Sequence, residues 1–306
     1  MFIKSFTAAI ATVFSVTCFA TTPIEMIVPF PAGGPSDVTA RLIAKGFVEE
    51  GIPMIVVNKT GGSGIVGTNH VAEAKPDGKT LLLGGSGANF MAIINKTDGV
   101  KYTEKSFDPV ILVGTTPSVL LVNSNIIKST NFTALTAELK DNPKLAQVGT
   151  TTETTKFAAK WLFSLGKTNA DLLPYNGSAQ GIKDLLGGHI PMLMDIACPS
   201  LNTVKGHAHI QPILVASTKR LPTELAIQSG VEVYPEYTMF SWFAVFAPAG
   251  TPTTIITEYN KVINKILKNA EYKDKLENCY THVSGGTPTD FKNFIKSEHK
   301  KFSSIK

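Results

Sequence analysis

Short apolar runs alternate along the chain with longer stretches in which apolar residues recur every three or four positions. Ile24 to Val28 reads as a buried strand, and Val38 to Phe47, apolar at Val38, Leu42, Ile43 and Phe47, as a helix with Ser36 as its N-cap. Met54 to Val57 gives a second strand, Ile65 to Ala74 a helix, and Thr80 to Leu83 a third strand after the P-D-G turn at Pro76 to Gly78. Such alternation predicts a parallel sheet covered on both faces. A long apolar strand follows, Val110 to Val122, interrupted by Pro117 and long enough to cross between two halves of the molecule. The second half repeats the scheme. Helices are expected over Phe132 to Lys140, Lys156 to Gly166 and Ala179 to Leu186, and strands over Ala146 to Gly149, Asp171 to Leu173, Ile190 to Met194 and Ile210 to Ala216. Phe240 to Phe246 is a further strand, followed by helices from Pro252 to Asn269 and from Pro288 to Lys300 that return to the first half.

At 306 residues the chain is long for one core and comfortable for two lobes. Residues 1–20 have one early charge, Lys4, an apolar run from Phe6 to Val16, and small residues before a cut after Ala20. This is the pattern of a secretory signal, too short for a membrane span. Export therefore implies a periplasmic protein. Cleavage lowers the formal charge from +5 to +4, spread along the chain, which argues against a nucleic-acid partner. Arg41 and Arg220 are the only arginines, so bidentate guanidinium clamps for carboxylates or phosphates are scarce. Cys198 and Cys279 remain after export; a bridge and two separate buried thiols fit them equally well.

The motifs narrow the chemistry. Gly62-Ser63-Gly64-Ile65-Val66-Gly67 is a literal G-x-G-x-x-G, but the strand after it ends in L-L-L-G-G-S-G without the acid that would hold a ribose. Neither serine turn, at Ser63 or Ser86, completes G-x-S-x-G. His207 and His209 have no third ligand nearby, so neither a metal nor a cofactor is expected. What recurs is a turn rich in glycine, serine or threonine between a strand and a helix: Pro31 to Asp37, Gly84 to Asn89, Thr150 to Thr155 and Tyr175 to Ser178. In parallel α/β sheets such turns lie at the carboxyl ends of the strands, where ligands bind. Helix N-terminal amides there can hold an anion without a basic side chain.

With these residues the chain resembles the substrate-binding receptors of tripartite tricarboxylate transporters, the Bug family of extracytoplasmic solute receptors. The resemblance is carried by V-P-F-P-A-G-G-P-S-D, V-V-N-K-T-G-G-S-G-I-V-G, K-P-D-G-K-T-L-L-L-G, Y-N-G-S-A-Q-G-I-K-D-L-L-G-G-H-I and F-A-P-A-G-T-P, in that order. It implies a two-lobed, type II Venus-flytrap binding protein, each lobe a mainly parallel sheet flanked by helices, with two hinge crossovers. Lobe 1 would take residues 21–121 plus 238–306, and lobe 2 residues 122–237. The implied function is capture of a small organic carboxylate by a monomer and its delivery to membrane permease subunits, without catalysis. An exported sensory receptor is the alternative, and a nucleotide-dependent or hydrolytic enzyme a more distant one. The resemblance assigns ligand contacts to Phe30, Pro31, Ala32, Gly33, Gly34, Pro35, Ser36 and Asp37, and to Ser86, Gly87, Ala88 and Asn89. In the second lobe it assigns Thr150, Thr151, Thr152, Glu153, Thr154, Tyr175, Asn176, Gly177, Ser178 and Asp195. Two segments depart from the family pattern: T-T-T-E-T-T-K-F, which brings Glu153 and Lys156 toward the cleft, and Asn89-Phe90-Met91-Ala92. Asp37 can equally cap its helix and pair with Arg41.

Overall fold

A computed structural model describes residues 22–304, so the expected export signal at 1–20 lies outside the described residues. Strand β1 (Ile24–Val28) is flanked in parallel by β2 (Met54–Asn58) and β3 (Thr80–Gly85). Helices α1 (Pro35–Glu49) and α2 (Ile65–Ala72) make the crossovers. Ser36 is not the N-cap of α1. Pro35 takes the first helical position, where its fixed φ and missing N–H suit the helix, and the cap falls to Gly34. A π-helical turn, Ser86–Met91, leads from β3 into the single turn α3 (Ala92–Ile94).

Strand β4 (Phe107–Asn123) is unbroken through Pro117 and belongs to both sheets. Its residues Phe107 to Pro117 run antiparallel to β10 (Phe240–Pro248), which lies between β4 and β3, while β11 (His282–Val283) also pairs with β4. From Ser118 onward β4 pairs instead with β7 (Met192–Ile196) and β8 (Ile210–Val215), again antiparallel. Parallel strands β5 (Gln147–Thr150) and β6 (Asp171–Pro174) continue that sheet beyond β7, and β9 (Gln228–Ser229) joins β8. Both sheets are thus mixed. The strands joined by helical crossovers are the parallel ones, whereas β4 and β10, which carry the chain between the halves, run against them.

Helices α4 (Phe132–Asp141), α5 (Glu153–Leu165), α6 (Ser178–Leu186), α7 (Ala197–Val204) and the one-turn α8 (Gly230–Val233) accompany the second sheet. The chain then returns through α9 (Thr253–Lys268), α10 (Ala270–Glu277) and α11 (Pro288–Ser304). The helix expected to run to Asn269 stops one residue short because Asn269 turns extended and its Oδ1 accepts the Glu271 N–H at 2.9 Å, starting α10. Under the first sheet, Met26, Phe47 and Ile263 share a buried cluster. On its other face Trp242 meets Phe291 and Phe294 of α11 edge-on, with ring centroids 5.9 and 5.8 Å away.

Cys198 of α7 and Cys279, beyond α10, form a disulfide with Cα atoms 4.8 Å apart. Around it, Asn202 donates to the Asn278 carbonyl at 3.2 Å and the Tyr280 hydroxyl donates to Glu224 at 2.8 Å. A covalent tie therefore joins the segment behind β7 to the segment beside β11. No helix among the described residues is long and apolar enough to cross a membrane.

Candidate functional site

The four turns singled out in the sequence meet at one narrow cavity of about 40 Å³, room for a few water molecules. From the first turn come Phe30, Pro31, Ala32, Gly34, Pro35 and Ser36. Gly85, Ser86 and Gly87 follow from the end of β3, and Thr152, Gly177, Ser178 and Ala179 come from the starts of α5 and α6. Contact across the cavity is direct. A Cβ on Gly87 would stand 3.3 Å from Thr152 Cβ, and one on Gly177 would stand 3.4 Å from Pro31 Cδ, with Gly177 also at φ +109°. The positive φ at 177 favours glycine there.

The wall contains no charged side chain. Its polarity comes from the hydroxyls of Ser36, Ser86, Thr152, Ser178 and Ser241, and from helix starts whose first N–H groups have no intrahelical acceptor. The first turns of α1, α5 and α6 all open here, so three positive dipole ends converge on the cavity. That arrangement suits an anion.

Two buried carboxylates stand behind the turns. Asp37 accepts the Gly33 N–H at 2.9 Å, Arg41 through Nε at 2.9 Å and Nη2 at 3.0 Å, and Asn58 Nδ2 at 2.9 Å. Asn58 also donates to the Phe30 carbonyl at 3.0 Å. Burial pushes the Asp37 pKa up, but these donors outweigh it and hold the carboxyl below its ordinary value. Asp37 therefore fixes the shape of the first turn from behind. Asp195, fully buried at the end of β7, does the same in the other half. Its Oδ1 accepts from Thr151 at 2.5 Å, Ser178 at 2.9 Å and the Ile196 N–H at 2.8 Å, and its Oδ2 accepts from Ser200 at 2.5 Å. Desolvation raises its pKa, with the four donors pulling the other way.

The remaining expected residues lie off the wall. Thr150 and Thr151 are buried beneath it. Thr154 donates to Ser86 Oγ at 2.8 Å and so bolts α5 to the π-helical turn. Glu153 is buried away from the cavity wall, accepting from Asn95 Nδ2 at 3.0 Å with Lys156 Nζ at 3.6 Å. Asn89 folds back so that its Oδ1 accepts the Gly85 N–H at 2.9 Å. Ala88 sits in the same π-helical turn. The Tyr175 hydroxyl donates to Asp184 at 2.9 Å, and burial followed by that bond pushes its pKa up to about 12. Asn176 borders a separate small cavity with Thr60 and Gly61. Conversely, Ala179, Ile196, Ser241, Trp242 and Phe243 line the site without having been expected there. Among the described residues, no group of three or more His, Cys, Asp or Glu side chains is placed to hold a metal ion.

A family model described as "Tripartite tricarboxylate transporter family receptor" matches residues 39–306. The chain belongs to this receptor family. The receptor is 31% identical over 305 residues to Protein BugT of Bordetella pertussis, covering 98% of this chain and 93% of that protein. Its fold is that of solved periplasmic receptors. The structure described as "R. palustris Rpa4515 with adipate" is 26% identical and superposes with a TM-score of 0.86, over 94% of this chain and 97% of that one. "MatC (Rpa3494) from Rhodopseudomonas palustris with bound malate" is 22% identical, with a TM-score of 0.84 over 94% and 99% of the two chains. The relatives are periplasmic solute receptors rather than enzymes, and the two-lobed α/β architecture is theirs as well.

Proposed function

We propose that the receptor captures a small organic carboxylate between residues 21–121 plus 238–306 and residues 122–237, closes on it, and hands it as a monomer to membrane permease subunits. The observation that carries this reading is the convergence of three helix starts and two serine- and glycine-rich turns on one cavity without a charged side chain. Backbone N–H groups at helix starts hold a carboxylate with both hydrogen bonds and dipole. Ligand contacts are then expected from residues 30–36, 86–87, 152 and 177–178, with Asp37 and Asp195 holding those turns in place. The hinge is β4, which changes partners between Pro117 and Ser118, together with the return into β10. The adipate bound by a relative of 26% identity and the family's transporter association support the ligand class and the delivery role.

The N-terminal pattern and the family support export. The test is a thermal-shift panel of small organic acids on the purified mature chain, followed by solution scattering. A ligand of the native state raises the melting temperature, and closure on it reduces the radius of gyration. A broad acid panel that moves neither quantity overturns the reading.

A further inference from the structure

The Cys198–Cys279 disulfide stands beside the point where β4 changes partners. Ile196, two residues before Cys198, is paired with Ser118 of β4, and His282, three residues after Cys279, is paired with Thr115 of the same strand. Ser118 donates its N–H to the Met239 carbonyl at 3.1 Å and accepts the Ala216 N–H at 2.8 Å. The N–H and carbonyl of one residue in an antiparallel strand point to the same edge. The chain entering β10 and the end of β8 therefore share one edge of β4, and β7 and β11 share the other. Three strand residues span about 10 Å. The disulfide thus bridges the stretch from Thr115 to Ser118, on the edge away from β10.

Both anchors of this bond are firmly held. Ser284 and Gly285 donate to the Val113 and Leu112 carbonyls at 3.0 and 2.9 Å, and a Cβ on Gly114 would stand 2.6 Å from the His282 carbonyl oxygen, so the segment after Cys279 lies tight on β4. On the other side Cys198 sits between Ile196, in the cavity wall, and Ser200, which donates to Asp195. Small secreted domains use disulfides to replace a core they cannot build. This chain has extensive buried clusters, so its one bridge is better explained by where it lies. The two Cα atoms are 4.8 Å apart, and disulfides span up to about 6.8 Å, so they can separate by only about 2 Å. The neighbouring links, from Asn202 to the Asn278 carbonyl and from Tyr280 to Glu224, are hydrogen bonds that can break and re-form.

We propose that the Cys198–Cys279 bond splints the hinge, limiting how far the two halves open and twist in the unliganded receptor. This rests on the reading of residues 122–237 as one half that closes against the other, and it names what restricts that motion. Cys198 belongs to that half and Cys279 to its counterpart, so the bond is a third covalent link beside β4 and β10. Two adjacent strands alone leave the halves free to twist about a narrow joint. A link on the far edge of β4 widens it. Apparent affinity falls with the fraction of receptor in the binding-competent form, so a hinge held near closure strengthens binding without touching the ligand. Cys198 and Cys279 are in this sense positioning residues.

The experiment compares the oxidised mature chain, the same chain reduced with a phosphine, and the double variant Cys198→Ala, Cys279→Ala, all well below their melting temperatures. Reduced wild type serves if the double variant folds poorly. Solution scattering is recorded without ligand and with acetate, succinate, malate or adipate, and each acid is titrated calorimetrically. Breaking the bond is expected to enlarge the unliganded radius of gyration while the profile stays that of a folded protein, to leave the liganded radius unchanged, and to weaken binding about three- to tenfold. A lower melting temperature with the unliganded radius and the affinity both unchanged makes the bond a staple only and overturns the proposal. So does a larger radius that comes with a profile of unfolded chain. If none of the four acids binds, the carboxylate reading suffers, and the unliganded radius alone decides the splint: an increase supports it and no change overturns it.

Discussion

Replacing Asp195 by alanine tests how the second-half turns are held. The carboxylate accepts from three hydroxyls and one amide, and Thr151, Ser178 and Ser200 are each less than a tenth exposed. An unsatisfied buried donor costs about 1–3 kcal/mol. Rotation lets some of the hydroxyls find other acceptors, but the Ile196 N–H cannot turn. Removal of a desolvated charge offsets part of the loss, so a net destabilisation of about 3 kcal/mol is expected, as for other breaks in a buried hydrogen-bond network. For a chain of this size that is a fall in melting temperature of roughly 10 °C. Asp195→Asn keeps an oxygen where Thr151, Ser178 and Ile196 need it and presents an NH₂ group only to Ser200, so its loss should be under about 2 kcal/mol.

The pH dependence separates these cases. Burial raises the Asp195 pKa, so the native state binds this proton more tightly than the unfolded chain does. Stability from this group is greatest below the ordinary aspartate value and declines as pH rises from there to the raised native value. Wild type should therefore lead Asp195→Asn most at low pH, by an amount that shrinks as pH rises. The assay is thermal and urea unfolding of the three proteins across that range, with acid-panel titrations alongside. Alanine at 195 melting within about 2 °C of wild type, or asparagine faring worse than alanine, would refute the reasoning.

The other predictions concern the first turn, the disulfide and the bond from Thr154 to Ser86. Asp37 is lowered, so its contribution is complete above the ordinary aspartate value and is lost as pH falls through the depressed native one; Asp37→Asn should flatten the acid limb of the urea midpoint profile. Substituting both Cys198 and Cys279 by alanine releases an 81-residue loop and should lower stability by about 2–4 kcal/mol, and reducing the wild type should reproduce the effect. Thr154→Val deletes the bond to Ser86 across the cavity and should weaken ligand binding about five- to tenfold, with little change in the unliganded melting temperature.

Much of the site was legible because its makers are local. A turn rich in glycine, serine or threonine between an apolar run and an amphipathic stretch announces a helix start, and the turns at 31–37, 84–89, 150–155 and 175–178 are all such corners. Long-range pairing was not legible. Ser241, Trp242 and Phe243 read as an ordinary core strand, and only the insertion of β10 between β3 and β4 brings them to the cavity. Ile196 arrives the same way, through β7 pairing with the far end of β4. The Cys198–Cys279 tie spans 81 residues and has no local signature.

Side-chain direction was the other gap. Glu153 and Tyr175 sit in the right segments, but nearby partners, Asn95 and Asp184, turn them away from the cavity. Asp37 and Asp195 show a related effect, their carboxylates being satisfied by the protein's own donors. Their carboxyl oxygens serve the shape of the turns.

Diffraction from crystals grown with the tightest-binding acid of the panel tests the central claim most directly. A carboxylate is expected in the cavity, its oxygens about 3 Å from main-chain N–H groups in residues 34–37 and 177–179. An acid held instead by surface lysines, or seated in the cavity with its carboxylate turned away from those amides, would contradict it.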